Sequence, residues 1–311
     1  MLRTKGIAKE KQKKIERIGN METKTNRNQL VALIVTVVVI LCMFVGVILS
    51  TTLSNSNHPK EVAKTQAREA AKNIKDSEKP INMNKDGGIP ISKNGYNNPV
   101  SGVPTIGVYS DSLCPGCGSF NRSADRELIS MMEAGQINLE IYPMSFLDTL
   151  SSDHYSSRVM GGIYYIADHD SNPQHLVEFI NKIFAENFQP SEGEDYKPVS
   201  NEKLAEQAVA AGVPEDVAKV AFNRHYLKWQ KIMNGTTPDR KELWNVSGSN
   251  AGAMTTPTVT INGKLVDIPA ASKKNLEIID AVLKSIGLNK KDIGSSTVKP
   301  KLDDSHKPND L

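Results

Sequence analysis

The sequence predicts an α/β domain behind a single membrane-spanning segment. Three observations carry that expectation: an uncharged apolar run over residues 30–49, short β-rich runs alternating with helical periodicity over residues 88–288, and a lone Cys114-Pro115-Gly116-Cys117 between the first of those strands and its helix. A stretch of about two hundred residues is enough for one well-cored domain, and it contains no internal repeat.

The twenty residues from Leu30 to Leu49 carry no charge. At about 1.5 Å rise per residue they match the roughly 30 Å hydrocarbon core of a bilayer. A cleaved signal peptide would have an apolar region of about 7–15 residues and a shorter leader than Met1 to Gln29. Cys42, inside the run, lacks the small residues that a lipidation signal places before its cysteine, since Ile40-Leu41 precede it. Nine basic residues lead into the span (Arg3, Lys5, Lys9, Lys11, Lys13, Lys14, Arg17, Lys24 and Arg27), with three acids among them, Glu10, Glu16 and Glu22. The positive-inside bias puts residues 1–29 in the cytoplasm and everything from Ser50 onward outside. That basic tail carries +6, so a whole-chain charge of +3 leaves −3 for the remainder. The cluster is a topology signal beside anionic lipid, and nucleic-acid binding loses its compositional support.

Residues 50–87 are polar and charged, as in Lys60-Glu61-Val62-Ala63-Lys64 and Arg68-Glu69-Ala70-Ala71-Lys72, and read as a tether from the bilayer. Residues 289–311 are poor in large apolar side chains and rich in Lys, Asp and Ser, and read as a disordered tail.

Cysteine arithmetic outside the span leaves one pair and no disulfide framework. A ring closed over two intervening residues removes little chain entropy, so it is poor structural glue and suits reversible making and breaking. Thr105-Ile106-Gly107-Val108-Tyr109 reads as a buried strand leading directly into the pair. Cys117, Phe120, Ala124, Leu128 and Met131 then recur at helical spacing, placing Cys114 at the amino end of a helix and Cys117 on its inner face. Unpaired N–H groups and partial positive charge in a first helical turn favour a thiolate. Pro115 fits the first helical position, where an N–H is dispensable. Cys114 is thus the candidate nucleophile, and Cys117 the resolving thiol that waits beneath it.

Ile137 to Met144 alternates like a second strand, completing a βαβ unit. A helical stretch follows over about residues 150–248, marked by Leu176, Phe179, Ile180, Ile183 and Phe184, then by Leu204, Ala208 and Ala211, with Pro214-Glu215-Asp216 opening a further helix. Thr258-Val259-Thr260-Ile261, a turn at Asn262-Gly263 and Lys264-Leu265-Val266 make a hairpin. Leu276, Ile279, Leu283 and Ile286 line a closing helix.

A C-x-x-C pair can be half of a zinc site, but there is no second pair, and His154, His169, His175 and His225 lack ligand spacing, so no metal is expected. Asp111, at the strand end, is a candidate proton-transfer group for Cys117; an acid there also serves simply as a loop or cap residue.

Two separated motifs carry a resemblance. Tyr109-Ser110-Asp111-Ser112-Leu113-Cys114-Pro115-Gly116-Cys117 resembles the strand-to-active-site segment of the DsbA-like branch of the thioredoxin superfamily, in its membrane-anchored Gram-positive or actinobacterial form. Thr256-Pro257-Thr258-Val259-Thr260-Ile261-Asn262-Gly263-Lys264 resembles that branch's cis-proline loop and hairpin. Phe146-Leu147-Asp148 and Tyr155-Ser156-Ser157-Arg158 resemble the opening of its helical insertion. The likeness covers residues 104–286. It implies a thioredoxin fold with a helical insertion between the βαβ unit and the hairpin. It also implies a cis Pro257 opposite the cysteines and a Thr256 backbone that pairs with an extended substrate segment.

Two positions depart from that pattern. Gly116 stands where strongly oxidising relatives have a histidine that supports the thiolate, and Thr255 stands where a glycine is usual. Pro115 and Gly116 are thereby the expected redox-tuning positions. Potentials in the superfamily run from about −270 to about −120 mV, a span of about 7 kcal/mol, and loss of a donor predicts a less oxidising value than the histidine-bearing type.

The function implied is an extracytoplasmic thiol-disulfide oxidoreductase that needs no bound cofactor and gives its disulfide to reduced secreted or envelope proteins. A membrane reoxidase of the DsbB or vitamin K epoxide reductase type would restore it. A membrane-tethered reductase or isomerase would use the same parts at a different poise. A redox-inert envelope binding module is the alternative of another class, and the intact Cys114, Cys117 and Thr256-Pro257 set argues against it.

Overall fold

The computed structural model describes residues 57–303 and 307–309. The basic tail and the apolar run expected to span the membrane lie outside the described residues. Among the described residues, no helix is long and apolar enough to cross a membrane.

The sheet is built around the cysteine-bearing βαβ unit. β3 (Thr105–Ser110) runs parallel to β4 (Asn138–Pro143), with Ile106 opposite Leu139 and Tyr109 opposite Tyr142. Between them lies one helical stretch in three parts: α2 (Pro115–Phe120), a π-turn over Asn121–Asp125, and α3 (Arg126–Glu133). Cys117, Phe120, Ala124, Leu128 and Met131 are all buried, as their spacing predicts. β1 (Ile89–Ser92) pairs antiparallel with β4 on one side and with β2 (Gly95–Tyr96) on the other. β5 (Thr258–Ile261) pairs antiparallel with β3, and β6 (Lys264–Leu265) with β5, giving the order β2-β1-β4-β3-β5-β6. The hairpin turns where the sequence reading puts it. Asn262 and Gly263 both have positive φ, 50° and 77°, as a tight two-residue turn requires.

Five helices separate β4 from β5: α4 (Tyr155–His169), α5 (Pro173–Ile183), α6 (Asn201–Ala210), α7 (Glu215–Ala221) and α8 (Leu227–Thr236). Leu176, Phe179, Ile183, Phe184, Leu204 and Ala208 are at most 1% exposed and join the sheet in one continuous core. α4 packs on β4, and α5 packs on the π-turn, so the insertion reaches the cysteine-bearing helix directly. Two short helices, α9 (Ile268–Lys273) and α10 (Ile278–Ser285), close the chain, with Ile279, Leu283 and Ile286 buried.

The described part of the segment expected as a tether folds onto the domain instead. α1 (Asn57–Asn73) lies along α8, and the two approach so closely that a Cβ on Gly235 would come within 2.3 Å of the Ala67 Cβ. Lys64 and Arg68 pair with Asp239 at 3.1 and 2.6 Å. Ile81 and Asn82 then donate backbone N–H groups to the Asp168 carboxylate at 2.7–3.0 Å. Composition hides this docking because the inner stripe of α1 is made of alanines, Ala67 and Ala70, ahead of a buried Ile74.

Residues 289–303 also depart from the expected disorder. The fully buried Gln136 donates to the carbonyls of Asp292 and Val298, both at 2.9 Å, and accepts from the Gly294 N–H at 2.9 Å. Lys299 reaches the Gly135 carbonyl at 2.7 Å, and the Lys301 N–H donates to Ile286 at 2.8 Å. The tail is held by these hydrogen bonds to its backbone and by Ile293, Val298 and Leu302 packed on the core, three widely spaced residues that form no hydropathy pattern.

Candidate active site

Cys114 is the N-cap of α2, in extended geometry, with Pro115 at the first helical position. The turn is closed by its N–H donating to the Asp111 carbonyl at 3.0 Å and by its own carbonyl accepting from Gly118 at 3.1 Å. Both cysteines are free thiols. Cys114 is 6% exposed and Cys117 only 1%, so the outer sulfur is more accessible than the inner one but is itself largely covered. Part of the cover is the proline loop. The Thr256–Pro257 bond is cis, and the Cys114 thiol lies 3.4 Å from the Thr256 carbonyl oxygen, to which it donates.

The surroundings shift the pKa values of the two thiols in opposite directions. A hydrogen bond from the Cys117 thiol holds Cys114 below the ordinary thiol range, against the opposing effect of burial, and the Cys117 N–H adds to it. Burial pushes Cys117 well up, and the neighbouring Cys114 adds to that rise. One thiol is therefore prepared to ionise and the other to keep its proton, the asymmetry that the expected roles of nucleophile and resolving thiol need.

Gly116 sits between Cys114 and Pro257. A Cβ there would lie 3.3 Å from the Pro257 Cδ, a tight contact, and 3.7 Å from the Cys114 sulfur, an ordinary one, so a side chain at this position would press on the proline loop beside Cys114. Thr255 is absorbed by the loop. Its hydroxyl accepts from the Asn245 amide at 3.1 Å, and its carbonyl accepts from the Thr258 hydroxyl at 2.6 Å.

Asp111 is fully buried beside Cys117, and its N–H points at that sulfur at 3.4 Å. Its carboxylate is already occupied. Oδ1 accepts from the Leu113 N–H at 2.9 Å and the Ser156 hydroxyl at 2.6 Å, and Oδ2 accepts from the Leu147 N–H at 2.8 Å. Burial raises its pKa to about 6 in spite of these donors. The residue ties three segments of the chain together under the cysteine pair. A second acid, Asp125 on the π-turn, lines with Cys117, Ser110, Val108 and Phe184 a cavity of about 40 Å³. The Asn121 amide donates to its carboxyl, which is turned inward, and burial lifts its pKa to about 7.

Two contributors escape a reading of the sequence. Gln189, in the loop after α5, donates to the carbonyls of Ser112 and Cys114 at 3.2 and 3.0 Å. Gly118 makes room for it, since a Cβ there would fall 1.9 Å from the Gln189 Oε1. Only the glycine carried a signal: a second glycine in a helical turn costs about 1 kcal/mol against alanine and marks a close approach. Among the described residues there is no cluster of His, Cys, Asp and Glu able to hold a metal ion.

A family profile described as Thioredoxin matches residues 101–281. The chain belongs to the thioredoxin family. The sheet order, the cysteine turn and the cis proline form the thioredoxin-like α/β arrangement of this family member. Among curated proteins, the serine/threonine-protein kinase PknE of Mycobacterium tuberculosis is 32% identical over 89 residues, a match covering 28% of this chain and 16% of the kinase. The chain thus spans a small part of that relative's length. Its neighbours among solved structures are DsbA-like thiol-disulfide oxidoreductases. The reduced DsbA of Mycobacterium tuberculosis is 24% identical, with 62% of this chain and 92% of that one covered and a TM-score of 0.47. MdbA, a thiol-disulfide oxidoreductase from Corynebacterium diphtheriae, is 18% identical, with 62% and 91% covered and a TM-score of 0.48.

Proposed function

We propose that this chain is a membrane-anchored, extracytoplasmic thiol-disulfide oxidase that introduces disulfides into reduced secreted or envelope proteins. The observation that carries the reading is the placement of the thiol pair, with Cys114 at the N-cap of α2 and 3.4 Å from the Thr256 carbonyl and Cys117 buried beneath it; the lowered Cys114 and raised Cys117 pKa values follow from that placement. In the oxidised chain, a substrate thiolate attacks the Cys114 sulfur. The bond between Cys114 and Cys117 breaks, a mixed disulfide forms, and Cys117 leaves with the electron pair and takes up a proton. A second substrate thiolate then attacks the substrate sulfur of the mixed disulfide, closes the substrate disulfide and releases Cys114 as a thiolate, the anion that this site stabilises. The substrate has lost two electrons and the chain has gained them. The Thr256 backbone, whose carbonyl lies 3.4 Å from the Cys114 sulfur, pairs in this reading with an extended substrate segment.

The anchor is the apolar run over residues 30–49, whose basic leader supports a cytoplasmic amino terminus. Return to the disulfide state requires a membrane oxidant, for which a quinone-linked reoxidase of the DsbB or vitamin K epoxide reductase type fits. Asp111 is assigned here as an anchor of the turn before a proton carrier, since both of its oxygens already accept hydrogen bonds.

A reductase or isomerase role is the second reading, and Gly116 is what favours it, because it supplies no side-chain donor to the thiolate. Thiol trapping in growing cells separates the two. A mostly oxidised pair supports the oxidase, and a mostly reduced pair replaces it with the reductase. Offered a substrate disulfide, a full-length Cys117→Ser chain should accumulate mixed disulfides, because the Cys114 thiolate attacks one substrate sulfur, the other leaves as a thiolate and no Cys117 thiol remains to resolve the adduct; absence of such adducts, with partners still bound, would leave only a redox-inert binding module.

A further inference from the structure

The insertion supplies a side-chain donor to the backbone of the cysteine turn. Gln189 lies 75 residues beyond Cys114, yet its Nε2 donates to the Cys114 carbonyl at 3.0 Å and to the Ser112 carbonyl at 3.2 Å. Its Oε1 accepts from the Arg122 guanidinium at 3.3 Å, through the same Nη1 that donates to the Phe184 carbonyl at 2.6 Å. The amide has one chemically sensible orientation here, because carbonyls only accept and a guanidinium only donates. The absence of a Cβ at Gly118 is what lets the amide reach the turn.

We propose that Gln189 is a positioning residue that sets the redox balance of the Cys114–Cys117 pair from outside the cysteine turn. The inference rests on the oxidoreductase reading. The carbonyl oxygen of Cys114 belongs to the same residue as the nucleophilic sulfur, and its partial negative charge opposes a thiolate there. The Gly118 N–H neutralises part of that charge, and the Gln189 N–H is a second donor to the same oxygen. The bond to Ser112 holds the preceding carbonyl as well, so the polar backbone on both sides of Leu113 is turned toward the insertion. The thiolate exists only in the reduced form. Whatever stabilises it favours that form and makes the disulfide a stronger oxidant. Gln189 thus acts in the direction of oxidation and offsets part of what Gly116 gives up.

Arg122 serves this arrangement by orienting the amide. Its Nη1 bonds to Phe184 and Gln189 tie the cysteine-bearing helix to both ends of the same loop. A glutamine needed only to fold that loop would bond within it. The Nε2 of this one bonds across to the two carbonyls that frame the nucleophile.

The test uses the full chain as wild type, Gln189→Ala, Gln189→Glu and Gly118→Ala. It reads the equilibrium with glutathione and the pH profile of Cys114 alkylation by iodoacetamide. Gln189→Ala should move the equilibrium constant about tenfold toward the disulfide, equivalent to about 30 mV for a two-electron couple, and shift the alkylation midpoint to higher pH. Gln189→Glu keeps the size and the acceptor for Arg122 but loses the donor and adds negative charge, so its shift should exceed that of the alanine variant. Gly118→Ala displaces Oε1 without altering Gln189 and should shift both readouts in the same direction, which keeps the test available if Gln189→Ala does not fold. Wild-type equilibrium and alkylation profile in Gln189→Ala or Gly118→Ala, whatever their thermal stability, would overturn the proposal, as would a glutamate variant that matches wild type. A wild-type chain that exchanges no thiols at all would sink the oxidoreductase reading instead, so the two failures are distinguishable.

Discussion

The cysteine turn and the helical insertion above it are held by different forces. From Asp111 to Gly118 the chain is fixed by hydrogen bonds, with three donors on one buried carboxylate and a glutamine amide on two carbonyls. From Tyr155 to Thr236 it is fixed by apolar burial, with Tyr164, Phe179, Ile183 and Phe222 at most 1% exposed. Chemistry is therefore concentrated where the chain is polar and local, and stability where it is apolar and distributed. Changes to the cysteine side chains should alter reactivity at little cost in folding, and changes in the apolar insertion should do the reverse.

The largest effect expected from that division is at Cys114. Cys114→Ser should abolish disulfide transfer, because no other thiol in the turn is accessible, while its melting temperature stays near that of the reduced wild type. Transfer persisting at a measurable fraction of wild type in a refolding assay would break the division on the chemical side. The matching change in the insertion is Phe179→Ala, which empties a fully buried ring position and should cost about 3–5 kcal/mol in chemical denaturation. The Cys114 alkylation profile of the folded variant should not move. If it does, the core carries information to the turn that the hydrogen bonds do not account for.

The same division decides what could be read from the sequence. The βαβ unit, the Asn-Gly hairpin and the insertion stripes at Leu176, Phe179, Ile183 and Leu204 were all legible, because apolar side chains at periods of 2 and 3.6 write burial into the order of residues. The cysteine pair and Pro115 were legible because their chemistry is contained in four adjacent positions. Three features were not. α1 docks through alanines and a shared Asp239, the tail docks through Gln136 on backbone atoms, and Gln189 reaches Cys114 across 75 residues. In each case a polar or small side chain finds its partner only after the chain has folded. Asp111 shows the converse. Its proximity to the cysteines was visible in the sequence, but the three donors on its carboxylate were not.

Asp125 is a half-buried acid that lines the cavity beside Cys117, with fewer partners than Asp111. Its pKa of about 7 in the folded chain stands against about 3.9 in an unfolded one. The folded state therefore holds the proton more tightly. The cost of ionising it is absent at low pH, grows above about pH 4 and is complete above about pH 7. Asp125→Asn removes the titration while its Oδ1 still accepts from the Asn121 amide. The variant should be more stable than wild type at pH 8, by on the order of 1–3 kcal/mol, and equal to it near pH 4. Stability curves that run parallel from pH 4 to pH 8 would show that the carboxyl is better solvated than the cavity around it implies.

The smallest effect belongs to the contact that turned an expected tether into part of the domain. Burial pushes the Asp239 pKa up, but the hydrogen bonds and charges of Lys64 and Arg68 outweigh it and hold the carboxyl below its usual range. A depressed folded pKa means that the pair stabilises docking above the unfolded value of about 3.9 and loses that contribution as pH falls through the folded value. Lys64 and Arg68 are substantially exposed, so the contribution to global stability should be no more than about 1 kcal/mol and should weaken in salt. Asp239→Asn should therefore leave the melting temperature and thiol exchange nearly unchanged, yet raise amide exchange within α1 at neutral pH. The Ala67–Gly235 approach is the stronger half of the same contact. Gly235→Val places carbon where Ala67 already sits and should release α1 to proteolysis, with the Cys114 alkylation profile unaltered. If releasing α1 changes that profile, the helix belongs to the catalytic unit together with the cysteine turn.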